Sequence, residues 1–96
     1  MFSDDIDWCK KNSHLFTKTG AKVVFFSGRT QIDDFIAISL CSHNIITNST
    51  FSWWGAWLNN NPNKQIVMPK LWFGPVGPWS GPSEGADLHC DDWYVI

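Results

Sequence analysis

Three short apolar runs, at residues 21–26, 44–47 and 65–68, each end in a turn or a cluster of small polar residues, and the stretches between them carry apolar side chains at helical spacing. Runs this short, rich in Val, Ile and Phe, have the length of buried strands rather than buried helices. Strands alternating with helices through short links cannot be hairpins, because parallel neighbours need a crossover between them. The pattern therefore predicts an α/β fold: a parallel sheet with flanking helices.

The helix signals are local. Ser3, Asp4, Asp5 and Asp7 supply a cap and a negative first turn for a helix over 3–12, with Lys10 and Lys11 at its C-terminal end. A second helix is predicted over 31–42 from Ile32, Phe35, Ile36, Ile38 and Leu40, with Asp33 and Asp34 in its first turn. A third, over 53–59, ends where Asn59, Asn60, Asn61, Pro62 and Asn63 form a turn. Residues 73–85, with Pro75, Pro78, Pro82 and four glycines, read as a surface loop, and 91–96 as a short tail. Met1 and Phe2 read as the stump of a preceding strand. No repeat or linker divides the chain, so 1–96 is expected to be one domain, incomplete at its start.

Composition narrows the function. Ninety-six residues allow one modest core, and seven Trp with seven Phe must fill much of it. A net charge of −2 and 44% hydrophobic residues exclude a disordered chain. Seven scattered Lys and Arg against nine Asp and Glu leave no basic stripe for nucleic acid. Cys9, Cys41 and Cys90 are far apart and form neither a disulfide framework nor a zinc pattern. No apolar run has the length of a membrane span, and no secretory leader is visible.

The densest candidate site is the junction where Asn44, Ile45, Ile46 and Thr47 give way to Asn48, Ser49, Thr50, Phe51 and Ser52. Small polar residues between a strand and a helix suit a phosphate, which the free N–H groups and positive end of a helix attract. The competing reading is that Ser49 and Ser52 only cap the helix. Asp5, Ile6 and Asp7 form a D-x-D, but a three-residue pattern within a helix is a weak metal signal. Trp53, Trp54 and Trp57 could stack on a sugar; their spacing marks a packed helix face, with Gly55 bringing that helix close to the sheet. His43 has no nucleophile beside it and reads as a capping or solvated group. Residues 27–30 read as a plain turn.

The segment 43–59 closely resembles the C-terminal motif of glycosyltransferase family 11, the α-1,2-fucosyltransferases, apart from Thr47, where Ala is usual. Phe2, Ser3, Asp4, Asp5, Trp8 and Cys9 resemble a second block of that family; Ser39, Leu40, Cys41 and His43 lead into the third, C-terminal block as they do there, and Asp91, Asp92 and Trp93 resemble the family's ending. The resemblance implies a Rossmann-like part of the C-terminal half of a GT-B glycosyltransferase, moving L-fucose from GDP-fucose to a terminal galactoside with inversion and without a metal or other cofactor. It implies Asn48, Ser49, Thr50, Ser52, Asp34 and Asp4 as donor nucleotide and phosphate contacts, Asp34 toward guanine and Asp4 toward the nucleotide sugar. No catalytic residue is assigned.

The family's His-x-Arg-Arg-Gly-Asp run is absent, and Arg29 is the only arginine. The expectation is a C-terminal fragment of such an enzyme, inactive alone. Its partners would be GDP-fucose and an acceptor glycan, with any membrane association supplied outside these residues: at the cytoplasmic face for bacterial relatives and in the Golgi membrane for animal ones. The alternatives are a non-catalytic, Trp-rich carbohydrate-binding module and a Rossmann-like assembly domain.

Overall fold

Asp5, rather than Ser3, caps the first helix. Its carboxylate accepts the Trp8 N–H at 3.0 Å, while the Ser3 hydroxyl accepts the N–H of Asp5 itself. Helix α1 therefore runs Ile6–Lys11, shorter than the 3–12 expected, and a further turn of helix, α2, follows over His14–Thr17. These elements come from a computed structural model, which describes residues 1–73 and 85–96. The described residues cluster into two units, Met1–Asp34 and Phe35–Ile96.

In the first unit the expected strand at 21–26 is not formed: the segment has no regular secondary structure. A strand exists only through its ladder, and the backbone partner of this segment is Met1. The Met1 amino group donates to Val24 O at 2.8 Å and Phe26 N donates to Met1 O at 3.0 Å. Bonds from one residue to both neighbours of Phe25 have the alternation of a parallel pair. Phe2 and Phe26 rings meet across it at 5.4 Å.

Helix α3, Gln31–Ser39, contains the boundary between the units and stops three residues short of the expected end. Its start is closed by its own sequence. Thr30 Oγ accepts the Asp33 N–H at 3.2 Å, and the Asp33 carboxylate accepts the N–H groups of Arg29 and Thr30 at 2.9 and 3.1 Å, a reciprocal capping box.

The second unit holds a parallel three-stranded sheet, β1 (Asn44–Ile45), β2 (Ile66–Met68) and β3 (Tyr94–Val95), in the order β1-β2-β3. Register pairs Ile45 with Val67 and Val67 with Tyr94. The first two strands fall where the apolar runs placed them. The third lies in the short tail, where no strand was predicted. Its pairing is fixed beyond the strand by Ile96 N–H to Met68 O and Lys70 N–H to Ile96 O.

Helix α4, Thr50–Trp57, crosses from β1 to β2 and starts three residues earlier than expected. The core between it and the sheet is Ile46, Ala56, Ile66, Met68, Trp72 and Trp93. Gly55 lets α4 approach α3 rather than the sheet: a Cβ there would lie 2.5 Å from Ile38 Cγ2. Gly55→Ala is expected to cost about 1–3 kcal/mol through overpacking, outweighing the better helix propensity of Ala, worth about 1 kcal/mol. A urea titration checks it, and a stability gain would refute the close contact. The proline-rich stretch expected to loop over the surface lies mostly outside the described residues.

Candidate functional site at the start of helix α4

The junction expected to hold a ligand follows the carboxyl end of β1, where open α/β sheets place their ligands. Ser49 is extended, with φ −128° and ψ 125°, and is the N-cap residue of α4, yet its side chain makes no capping bond. The first intrahelical bond there is Trp53 N–H to Ser49 O, at 2.9 Å. The N–H groups of Thr50, Phe51 and Ser52 are left without an intrahelical acceptor, as helix geometry requires of a first turn.

The side chains around this turn mostly hold the loop together. Ser52 Oγ donates to Ser49 O at 2.9 Å or to Thr47 O at 3.3 Å, so its one hydrogen is engaged with carbonyls. Asn48 donates its amide to Trp72 O at 3.1 Å, tying the loop to the chain that follows β2. Thr50 is exposed and Ser49 half-buried. What this junction offers an anion is thus backbone N–H and helix dipole first, and hydroxyls second.

Asn48, Ser49, Thr50 and Ser52 are brought together by this turn. Asp4 and Asp34 belong to the first unit. Asp4 is exposed. Asp34 Oδ1 accepts the Gly28 N–H at 2.8 Å, and a carboxylate so engaged keeps lone pairs for a second donor. Gly28 is required by this arrangement, since a Cβ would press on Asp33 Cβ and lie 2.9 Å from Asp34 Oδ1. The segment 27–30 is therefore more than a plain turn: its N–H groups are bound by the two carboxylates. The two helix starts differ in the way that matters to an anion. That of α3 carries Asp33 and Asp34; that of α4 carries no acidic residue and no side-chain cap.

Sequence reasoning missed the scaffold behind the junction. Asn44 and Asn59 are buried, and Asn59 Nδ2 donates to Asn44 Oδ1 at 2.8 Å and to Cys41 O at 2.7 Å, while Asn44 Nδ2 donates to Ile38 O at 3.0 Å. Lys64 Nζ donates to Ala56 O, Trp57 O and Asn59 O, closing the C-terminal end of α4. His43 Nδ1 accepts the N–H of Gln65, which leads into β2. These bonds tie α3, β1, α4 and β2 together and so fix where α4 points its other end. The run of asparagines at 59–63 was the available signal, and it reads as a turn unless the partner at Asn44 is known.

Of the three tryptophans expected to pack, Trp53 does so: its indole N–H donates to Leu88 O at 2.9 Å and its ring lies 5.5 Å from that of Trp93. Trp54 and Trp57 are half exposed, at 50% and 51%, because the inward side of α4 is already taken by Trp53 and Ala56 against the core and by Gly55 against α3. The Cys90 thiol is held above its usual range, first by burial and next by Asp92, with Lys64 opposing. It stays protonated near neutral pH, which suits a packing group rather than a nucleophile.

The model of the family described as Glycosyl transferase family 11 matches residues 1–73. The chain belongs to glycosyltransferase family 11. It is 44% identical over 73 residues to an alpha-1,2-colitosyltransferase of Escherichia coli, covering 76% of this chain and 25% of that protein. It is 39% identical over 75 residues to the O-antigen biosynthesis glycosyltransferase WbnK of Escherichia coli, covering 76% and 24%. Over 60 residues it is 35% identical to the galactoside 2-alpha-L-fucosyltransferase SEC1 of Bos taurus, covering 58% and 15%. No solved structure matches the chain. The chain thus spans about a quarter or less of the length of these relatives. The family match covers the junction at 48–52 and stops before β3.

Proposed function

We propose that this chain forms part of the donor-nucleotide site of an α-1,2-fucosyltransferase-type enzyme of GT-B architecture, whose whole would move L-fucose from GDP-fucose to a terminal galactoside with inversion. The observation that carries the reading is the uncapped, acid-free start of α4 just past the carboxyl end of β1. In this reading the pyrophosphate of GDP-fucose accepts hydrogen bonds from the N–H groups of Thr50, Phe51 and Ser52. Asn48 and Ser49 shape the turn. The acceptor hydroxyl would attack the sugar's C1 from the face opposite the leaving GDP. Negative charge growing on the pyrophosphate is then met by fixed dipoles, which act without reorganising. A colitosyl donor is the second reading, favoured by the relative that is 44% identical; the same phosphate contacts would serve it.

A proline at residue 50 tests this directly. Thr50 opens α4, a position where proline fits a helix, and Ser49 before it is already extended, as a pre-proline residue must be. Thr50→Pro therefore removes one N–H without disturbing the fold. In the purified chain it is expected to change the melting temperature little. Its effect on GDP binding should be a loss of about 1.5–3 kcal/mol, the value of a hydrogen bond to a charged group, or roughly ten- to hundredfold in Kd. Ser52→Ala is expected to cost less, because that hydroxyl already donates to carbonyls. Calorimetric titration with GDP measures both, and unchanged affinity in Thr50→Pro would reject the phosphate role.

A further inference from the structure

Trp53, Trp54 and Trp57 form one three-ring cluster on α4. The planes of Trp53 and Trp57 lie 12° apart with centroids at 6.4 Å, and Trp54 crosses them at 81° and 71° with centroids at 5.0 and 5.7 Å. Trp53 is the inner ring, fixed by its bond to Leu88 O and its contact with Trp93. The outer two therefore rest on an anchored base, yet each stays half exposed. Their indole N–H groups, unlike that of Trp53, donate to no described residue. Single exposed apolar residues need no explanation, but two adjoining indoles make one patch, and such patches mark binding surfaces. Rings already held by their neighbours lose little freedom when a ligand lies on them, so more of the contact appears as affinity.

We infer that Trp54 and Trp57 are a stacking platform for a galactoside ring of the acceptor glycan, one aromatic wall of an acceptor site that the rest of such an enzyme completes. The chemistry of α4 selects this occupant. A pyranose is uncharged; its ring C–H groups make an apolar face that suits an indole, and its hydroxyls can accept from an indole N–H. No residue of α4 is charged, so an anionic ligand or an anionic membrane would meet no countercharge on this helix. Position agrees. Trp54 follows Thr50 by four residues, one turn along the same face and about 6 Å along the axis. A sugar on Trp54 is then near enough for one of its hydroxyls to reach a sugar carried by a pyrophosphate at the start of α4. That step and the choice of galactose rest on the function proposed above. The platform itself rests on the rings and on membership of a glycosyltransferase family.

The test is fluorine NMR of the purified chain carrying 5-fluorotryptophan, titrated with methyl β-D-galactopyranoside. Each of the seven tryptophans gives one resonance, and Trp8→Tyr, Trp54→Tyr and Trp57→Tyr assign the three that matter. The Trp54 and Trp57 resonances are expected to move together, with a Kd of about 1–10 mM. That of Trp8, 53% exposed on α1, should stay in place. Trp54→Leu, which keeps an apolar side chain but no ring, should weaken binding at least ~10-fold, whereas Trp54→Tyr should stay within about 3-fold. If Trp54→Leu unfolds, the unchanged resonances of the wild-type chain and of Trp54→Tyr still decide. No movement of either resonance at sugar concentrations ~10-fold above that range would overturn the inference. So would equal movement at Trp8, or the same movement with glycerol in place of the galactoside. Movement that follows protein concentration instead of sugar would assign the rings to a second copy and overturn it too. GDP titration of the same samples reads the donor site separately: lost GDP binding with the tryptophan shifts intact rejects only the donor reading, and the converse rejects only the platform.

Discussion

Asn59→Ala is expected to destabilise the chain by about 2–4 kcal/mol, the sum of two or three buried polar groups left without partners at ~1–3 kcal/mol each, reduced where water can reach them. Asn59 is 4% exposed, and its side chain satisfies Cys41 O, Asn44 Oδ1 and the N–H of Asn61 at 2.7, 2.8 and 2.9 Å. Truncation removes all three bonds and leaves Asn44, itself buried, with an acceptor facing a void. Asn61→Ala is the control. Its amide donates to Ser42 O at an exposed position, so its loss should cost ~0.5–1.5 kcal/mol. Urea denaturation of the two variants decides the matter. Equal, small effects would mean that water enters the asparagine cluster and that α4 is not anchored through it.

The same cluster shows where the sequence stops being legible. Strands β1 and β2 could be placed because their burial is carried by short runs of apolar residues, a signal local to each segment. Strand β3 could not, because Tyr94 and Val95 are both exposed and owe their conformation to pairing with Val67 and Met68, far away in sequence. The converse failure is at 21–26, where the pattern of a strand was present but its backbone partners were not, apart from Met1. The start of α4 was misplaced by three residues because Thr50 and Ser52 are poor interior residues that still serve well in a first turn. At the candidate site, the sequence located the strand-to-helix junction over 48–52. It could not separate hydroxyl from backbone donors, since that depends on where the Ser52 hydrogen goes. Nor could it show that Asp33 and Asp34 turn back on residues 28–30, which is a matter of loop geometry.

The 96-residue chain by itself is expected to give no fucosyl transfer, even where it binds GDP. A nucleotide diphosphate leaving group needs cations as well as dipoles, and planar guanidinium groups suit it because one fork bonds two oxygens. Arg29 is the only arginine here. It stands beside Asp33, whose carboxylate takes its backbone N–H at 2.9 Å. The helix start at Thr50 can contribute a dipole worth ~0.3–2 kcal/mol and a few charge-assisted hydrogen bonds. Enzymes lower barriers by ~8–23 kcal/mol, and holding two substrates in attack geometry supplies roughly 7–11 kcal/mol of that. The chain spans about a quarter of its relatives, so an acceptor site and further cations are expected in the rest of such an enzyme. GDP binding without turnover is therefore the expected pair of results, with affinity read by calorimetry and transfer by release of GDP from GDP-fucose in the presence of a β-galactoside. Transfer above a no-protein control would mean that the start of α4 and the surrounding side chains stabilise the leaving group far more strongly than dipoles and neutral donors can, and the assignment of roles around Thr50 would have to be abandoned.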